Sequence, residues 1–198
     1  MIRVKTESPI LFSTPMMEAI LAGRKTQTRR VFKGIGKWLP ESLQEMRADS
    51  DKAWAASGYP ERLWVKETFY LHADGSVLFK AGLPGQHPVP PWKPSIFMPR
   101  RFCRLTLKVT GVRLERVQDI SADDALAEGI DWKRVDNWTV TYFSDPKSLE
   151  ACIHHTPQSA YRALWDCINA KRGYGWDTNP WVWVISFAVA ERSDLCGA

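Results

Sequence analysis

The sequence predicts an α+β protein built on a small β-barrel whose openings are covered by short helices. Three observations predict this fold. The alternating segment 104–117 changes its apolar phase at Gly111, as bulged and bent strands do. The segment 181–189, WVWVISFAV, is apolar on both faces and therefore fits a central strand. Short helix signals lie between the strands in mixed order, which is typical of the α+β class.

The first half of the chain predicts a helix and then a strand. Thr14 is suited to an N-cap and Pro15 to the first helical turn, while Gly23 is suited to the residue that ends the helix. The stretch RLWVKETFYL, residues 62–71, alternates between two faces and predicts one continuous strand.

The second half adds a hairpin, a loop and two further helices. The Asp-Gly pair at 74–75 marks a hairpin turn. Six prolines in residues 82–101 predict an extended surface loop, because proline interrupts both helices and central strands. Ser121 is expected to cap a helix that ends by Gly129, and Thr-Pro at 156–157 is expected to start another.

Length and composition indicate one globular domain. The 198 residues are expected to form a single domain, 1–198, with insertions near 34–60 and 131–156. An apolar fraction of 44% and a charged fraction of 25% are typical of a globular protein. No apolar run approaches the roughly 20 residues of a membrane span, and the N-terminus lacks a signal-peptide pattern. We therefore expect a cytoplasmic protein that does not bind membranes.

The cysteines do not predict a cofactor. The four cysteines form no C-x-x-C pair. Cys152 lies close to His154 and His155, but no second ligand pair has the spacing that a zinc site needs. The sequence therefore predicts neither a metal site nor any other cofactor.

A basic segment follows the first predicted helix. The stretch AGRKTQTRRVFKG, residues 22–34, holds five cations, and no acidic residue occurs between Glu18 and Glu41. The net charge of the chain is only +5, so the clustering carries more information than the total. Such a run is typical of a site that binds phosphates.

Four sequence blocks resemble the ASCH family, and in particular its prophage-encoded branch. They are ILFSTPMMEAILAGRKTQTRR, RLWVKETF, KPSIFMPRRFCRLTLKVTGVRLERVQDISADDALAEGI and GYGWDTNPWVWVISF. The resemblance implies a PUA-like β-barrel that binds RNA or a modified nucleoside in a cleft beside the first helix. It carries no motif for residues 34–60 or 131–156.

The resemblance also implies an activity and three residues that perform it. One small bacterial branch of the family resembles an amidohydrolase that removes the acetyl group of N4-acetylcytidine. Its catalytic Lys and Thr, from a G-R-K-T-x-T motif, fall on Lys25 and Thr28, and its Glu falls on Glu128. This chain is about twice as long as members of that branch, so the fold transfers more directly than the activity.

These residue types can perform amide hydrolysis in two ways. Thr28 is a nucleophile only if a neighbouring base takes its proton. In one assignment a neutral Lys25 is that base, and in the other Glu128 is the base while a charged Lys25 stabilises the oxyanion. Residues 25 and 28 of a straight strand face opposite sides, so a shared site requires the chain to bend between them.

The remaining cations predict a nucleic-acid site, with Trp38, Trp92 and Trp176 as candidate stacking rings. Two alternatives to the hydrolase remain open: a non-catalytic module that binds single-stranded RNA, and a ribonuclease that uses the same cleft. The oligomeric state also stays open. The predicted phosphate-binding residues are Arg24, Arg29, Arg30, Lys33, Arg100 and Arg101.

Overall fold

The computed structural model of the chain describes residues 7–33, 47–50, 54, 60–83, 91–135, 138–144 and 151–192, and for 132–153 the backbone alone. Within these residues the fold is α+β, as predicted, with short helices and mainly strands. The α-helices are α1 (Thr14–Leu21), α2 (Ala122–Ala127) and α3 (Pro157–Asn169). The strands are β1 (Glu7–Leu11), β2 (Gln27–Val31), β3 (Arg62–Lys66), β4 (Phe69–Leu71), β5 (Val77–Phe79), β6 (Leu105–Arg116), β7 (Asp131–Val135), β8 (Trp138–Ser144), β9 (Ala151–His154) and β10 (Trp181–Arg192).

Five strands form the main sheet, in the order β1-β3-β6-β10-β2. The β1–β3 pair is parallel and the other three pairs are antiparallel. Strand β10 lies between β6 and β2, which confirms that the segment apolar on both faces is a central strand. Opposite Ser186 and Phe187 the register of β6 skips from Gly111 to Val109, which confirms a bulge at the predicted change of phase.

The prediction of one continuous strand over residues 62–71 was wrong. The chain leaves the main sheet after Lys66, and residues 69–71 pair instead with β5 in a separate two-stranded sheet. The break falls at Glu67, whose buried carboxylate accepts from Arg104 Nε at 2.9 Å and from Arg104 Nη2 at 2.8 Å. The β4–β5 hairpin turns through the Asp-Gly pair at 74–75, as predicted.

The predicted helix starts and loops are mostly confirmed. Helix α1 begins one residue earlier than expected, with Ser13 as its N-cap. Ser121 and Thr156 cap α2 and α3, where each hydroxyl accepts from a backbone N–H three residues later. The proline-rich segment differs from the expected extended loop, because its described part forms 3₁₀ turns at Ser95–Phe97 and Arg100–Phe102.

One predicted insertion has a regular backbone. Strands β7, β8 and β9 form a three-stranded antiparallel sheet that precedes α3. Most of the other insertion, near 34–60, lies outside the described residues, together with Trp38 and the side chain of Cys152.

Two apolar clusters cover the two faces of the main sheet. On one face Trp183 and Ile185 of β10 pack with residues from α1 and β3. On the other face Val182 and Val184 pack against α2 and α3, where Tyr161 is buried. Fully burying one such side chain contributes about 1.5–3 kcal/mol. Helix α1 therefore packs on one face of the main sheet, and α2 and α3 pack on the other. The candidate site lies at the edge that β2 forms.

The two edges of the main sheet lie close to each other. Arg30 of β2 donates from Nη2 to the carbonyl oxygen of Leu11 in β1 at 2.8 Å. The described strand pairings contain no ladder between β1 and β2, so closure into a barrel stays a prediction. No helix among the described residues has the length and hydropathy needed to cross a bilayer.

Candidate active site

Lys25 is a buried lysine in the turn that joins α1 to β2. Gly23, with φ 73°, ends the helix, and the backbone N–H of Lys25 then donates to Ala19 O at 3.0 Å. The residue is 2% exposed, and its Nζ donates both to Glu128 Oε2 and to Glu128 O at 2.7 Å. Because β2 begins at Gln27, Lys25 lies outside the regular strand and strand alternation does not fix the side to which it points.

Glu128 is held in place by the end of helix α2 before it and by the closely packed Gly129 after it. It is the C-cap of α2, where its N–H donates to Asp124 O at 2.9 Å, and it is 5% exposed. Gly129 follows with φ 94°, and a Cβ added there would lie 3.0 Å from Ala19 Cβ and 3.1 Å from Lys25 Cβ. Only glycine fits this close approach without displacement. The sequence signal for this requirement is the Glu-Gly pair at the helix end.

Arg29 links Glu128 to two further carboxylates. Its Nη1 donates to Glu128 Oε1 at 3.3 Å, and its Nη2 donates to Glu115 Oε1 at 2.6 Å and to Asp124 Oδ2 at 3.1 Å. Arg113 bonds the same two carboxylates, Glu115 and Asp124, from the solvent side. The three cations Lys25, Arg29 and Arg113 therefore match three carboxylates. Two cations of the basic segment, Lys25 and Arg29, are therefore compensated by carboxylates from distant parts of the chain.

Two adjoining cavities, of about 470 and 440 Å³, meet at Glu128 and Arg30, which line both. The first cavity lies between α1 and the chain beyond α2, and the second lies between β2 and α3. Thr28 is 3% exposed and lines the second cavity together with Glu128. Among the described residues no hydrogen bond joins Thr28 to Glu128. Lys25 lines neither cavity and reaches them only through the carboxyl group of Glu128.

Burial controls the ionisation of the site. Desolvation lowers the pKa of Lys25 below 10.5, and this effect outweighs the opposing attraction of Glu128. Burial likewise raises the pKa of Tyr161 well above 10.0, so this phenol stays protonated at neutral pH. Tyr161 lies under the Arg29 guanidinium, whose Cζ is 5.7 Å from the ring centroid. Because its pKa is lowered by burial, Lys25 releases its proton more readily than an exposed lysine does.

The structure separates the predicted phosphate-binding residues into different environments. Arg29 is 5% exposed and its ion-pair partners are internal carboxylates, so its described contacts are those of a structural cation. Arg30 and Lys33 line the second cavity and Arg24 lines the first. Arg24 also lies 3.8 Å from the Asp131 carboxylate.

Arg100 and Arg101 do not line either of these two cavities. Arg100 donates to Glu7 Oε2 at 3.0 and 2.9 Å, while Arg101 lies over the Phe102 ring at 4.8 Å. Arg101 and Trp92 line a third cavity, of about 550 Å³. The third candidate stacking ring, Trp176, instead packs against the core cluster of α3.

Three residues that surround the candidate triad were missed in the sequence. Glu115 lies on β6, Asp124 on α2 and Tyr161 on α3, so they come from segments 86 to 132 positions beyond Arg29. The available signal was weak. Glu115 shares one phase of β6 with Arg113, where a polar residue is expected, so the alternation did not distinguish it as an inward carboxylate.

Comparison of the chain with protein-family models, with curated proteins and with solved structures finds no match. The assignment of a function therefore depends on the chemistry of the residues that the fold brings together.

Proposed function

We propose that this chain is a PUA-like amidohydrolase of the ASCH type that removes the acyl group from an N4-acylated cytidine. The observation that carries the proposal is the buried Lys25–Glu128 pair, with Nζ 2.7 Å from Oε2, whose carboxyl group opens into the cavity that Thr28 lines. A desolvated lysine held against a carboxylate beside a hydroxyl is a typical arrangement for acid–base and nucleophilic chemistry.

The geometry favours Glu128 as the group that exchanges protons with the substrate. Glu128 lines both cavities, whereas Lys25 is covered and touches Glu128 through two hydrogen bonds. In the proposed reaction the Thr28 hydroxyl attacks the acyl carbonyl and gives its proton to Glu128. Glu128 then protonates the departing N4 amine, and water hydrolyses the acyl-threonine to free carboxylate and Thr28. Lys25 orients the Glu128 carboxyl group through its hydrogen bonds and stabilises the negative charge of the carboxylate.

The cavities fit a substrate of this size. Their volumes, about 470 and 440 Å³, lie within the ~300–1,000 Å³ range of small-molecule sites. The lining combines apolar side chains, among them Met16, Leu164 and Ile168, with the polar groups of Thr28 and Glu128. The apolar side chains suit a pyrimidine ring, and the groups of Thr28 and Glu128 suit its amide.

The test is to incubate the purified full chain with N4-acetylcytidine and to measure cytidine by chromatography. We expect Thr28→Val and Glu128→Gln each to lower kcat/KM by at least about 10²-fold, the usual contribution of a general acid–base group. Thr26→Val is the matched control, because Thr26 lies in the same motif but is exposed. Absence of cytidine with the wild-type chain, or equal losses in Thr26→Val and Thr28→Val, would contradict the proposal.

A second candidate function is binding of single-stranded RNA at another surface. The observation that favours it is the cavity of about 550 Å³ lined by aromatic rings and by Lys93 and Arg101. Phe97, at its wall, is 70% exposed. Exposed rings beside cations bind bases by stacking and phosphates by charge.

The binding assay uses fluorescence anisotropy with a labelled single-stranded oligoribonucleotide. We expect affinity to fall steeply with salt, because neutralised phosphates release counterions. Arg101→Ala should weaken binding, whereas Lys108→Ala, an exposed lysine on β6, should not. Absence of binding at low salt would rule this candidate out.

A further inference from the structure

The cavity between β2 and α3 collects positive charge from two separate elements. Arg30 and Lys33 reach it from β2 and the residues that follow, and Arg172 reaches it from the turn after α3. Glu128 is the only carboxylate among the described residues that line it, and Lys25 and Arg29 already bond its two oxygens. The charge around this cavity is therefore unbalanced.

Arg30, which lines this cavity, carries a buried donor without a partner among the described residues. Its Nη2 is fixed by the Leu11 carbonyl at 2.8 Å, and its guanidinium lies 5.4 Å from the centroid of the Phe12 ring. Its Nε is buried and has no hydrogen-bond partner among the described residues. A buried donor without a partner is unfavourable, and an anion near the guanidinium would stabilise its charge.

The neighbouring cations also have no carboxylate partner in the part of the chain that the structure describes. The ion pairs of the described residues include none for Lys33 or Arg172, both of which are exposed. The charge of Arg172 lies close enough to lower the pKa of Arg30, in addition to the larger lowering by burial. Two like charges placed together without a counterion are repulsive.

The position of Arg172 at a helix end explains only part of this arrangement. Cations near a helix C-terminus are favourable because of the helix dipole, and Lys171 and Arg172 both follow α3. The dipole does not explain why Arg30 and Lys33, from a different element, face the same cavity. An anionic ligand accounts for all three cations together.

We propose that Arg30, Lys33 and Arg172 form a phosphate subsite, so that the ligand of this cleft is a phosphorylated nucleoside rather than a neutral one. The inference rests on the proposed function for the identity of the base. Guanidinium groups bind phosphate oxygens through paired N–H donors, and a lysine adds a point charge. A cavity of about 440 Å³ is the size of a small-molecule site, so we commit to a mononucleotide.

The test does not depend on catalysis. Calorimetry with the full chain compares cytidine 5′-monophosphate, cytidine and a short oligocytidylate that lacks terminal phosphates. We expect the monophosphate to bind at least about tenfold more tightly than cytidine, the factor that one charge-assisted hydrogen bond supplies. Arg172→Ala and Lys33→Ala should each reduce that ratio. Lys171→Ala is the matched control, since Lys171 is adjacent and exposed but does not line the cavity.

The outcomes separate this inference from the proposed function. Equal binding of cytidine and its monophosphate would overturn the subsite while leaving hydrolysis of a neutral nucleoside intact. A preference for the monophosphate that persists in Arg172→Ala, Lys33→Ala and Arg30→Lys would place the phosphate elsewhere and would also overturn it. Tight, variant-sensitive binding without hydrolysis of any acylated cytidine would support the subsite and refute the hydrolase. Tighter binding of the oligocytidylate would overturn the commitment to a mononucleotide.

Discussion

Replacing Arg29 by glutamine tests the role of the ion pairs beneath the cleft. The Arg29 side chain is fully shielded from solvent, and it donates to Glu115, Asp124 and Glu128. Glutamine keeps a polar amide but removes the charge and the fork of donors. The expected result is a large loss of stability, because three carboxylates lose a shared buried cation.

The magnitude follows from the partners that remain. Removing one member of a buried ion pair costs about 3–5 kcal/mol when the other is left unpaired. Here Glu115 and Asp124 keep Arg113, and Glu128 keeps Lys25, so we expect the lower end, about 3 kcal/mol. For a chain of this length that corresponds to a decrease in Tm of roughly 6–12 °C.

The assay is urea unfolding followed by circular dichroism, in which a lower midpoint at unchanged slope reports a loss of stability. The matched control is Arg162→Gln. Arg162 makes one hydrogen bond to Asp177 at 3.0 Å, and its side chain is 52% exposed, so its loss should cost less than about 1 kcal/mol. Equal effects of the two substitutions would refute the reasoning that Arg29 is a structural cation.

Three further predictions concern the same site. Gly129→Ala should lower the free energy of unfolding by about 1–3 kcal/mol, and it should also lower turnover. The reason is that a positive φ strains alanine and that the added Cβ would push against Lys25. Unchanged unfolding and activity would show that the site tolerates the shift. Burial raises the pKa of Asp124, but the nearby charges of Arg113 and Arg29 outweigh it and hold the pKa below 3.8. The contribution of Asp124 to stability is therefore present above pH 3.8 and is lost as the pH falls through the folded pKa. Urea unfolding of the wild type and of Asp124→Asn should differ at pH 7, and the difference should shrink as the pH falls below 3.8. Burial lowers the pKa of Lys25, so the unfolded chain binds this proton more tightly than the folded chain does. The free energy of unfolding of the wild type, measured relative to Lys25→Met, should therefore rise with pH up to 10.5. A difference that stays constant with pH would show that Lys25 titrates normally.

The sequence indicated the local features of the fold well. The cap of α3 at Thr156, the turn at 74–75 and the bulge near Gly111 each depend on residues next to one another in the chain. A hydroxyl N-cap, a tight turn and a change of strand phase need no distant partner. The alternating pattern at 62–71 failed for the opposite reason, because the break at Glu67 depends on Arg104, which is 37 residues away.

The candidate site shows the same division. The sequence alone determined that Lys25 and Thr28 lie in one basic segment and that Glu128 ends a short helix before a glycine. Only the tertiary structure decided which of these charges face one another: it placed Glu128 2.7 Å from Lys25 and paired Arg29 with carboxylates from distant segments. The physical reason is that charge pairing depends on distance in space, which strands from remote parts of the chain set when they pack.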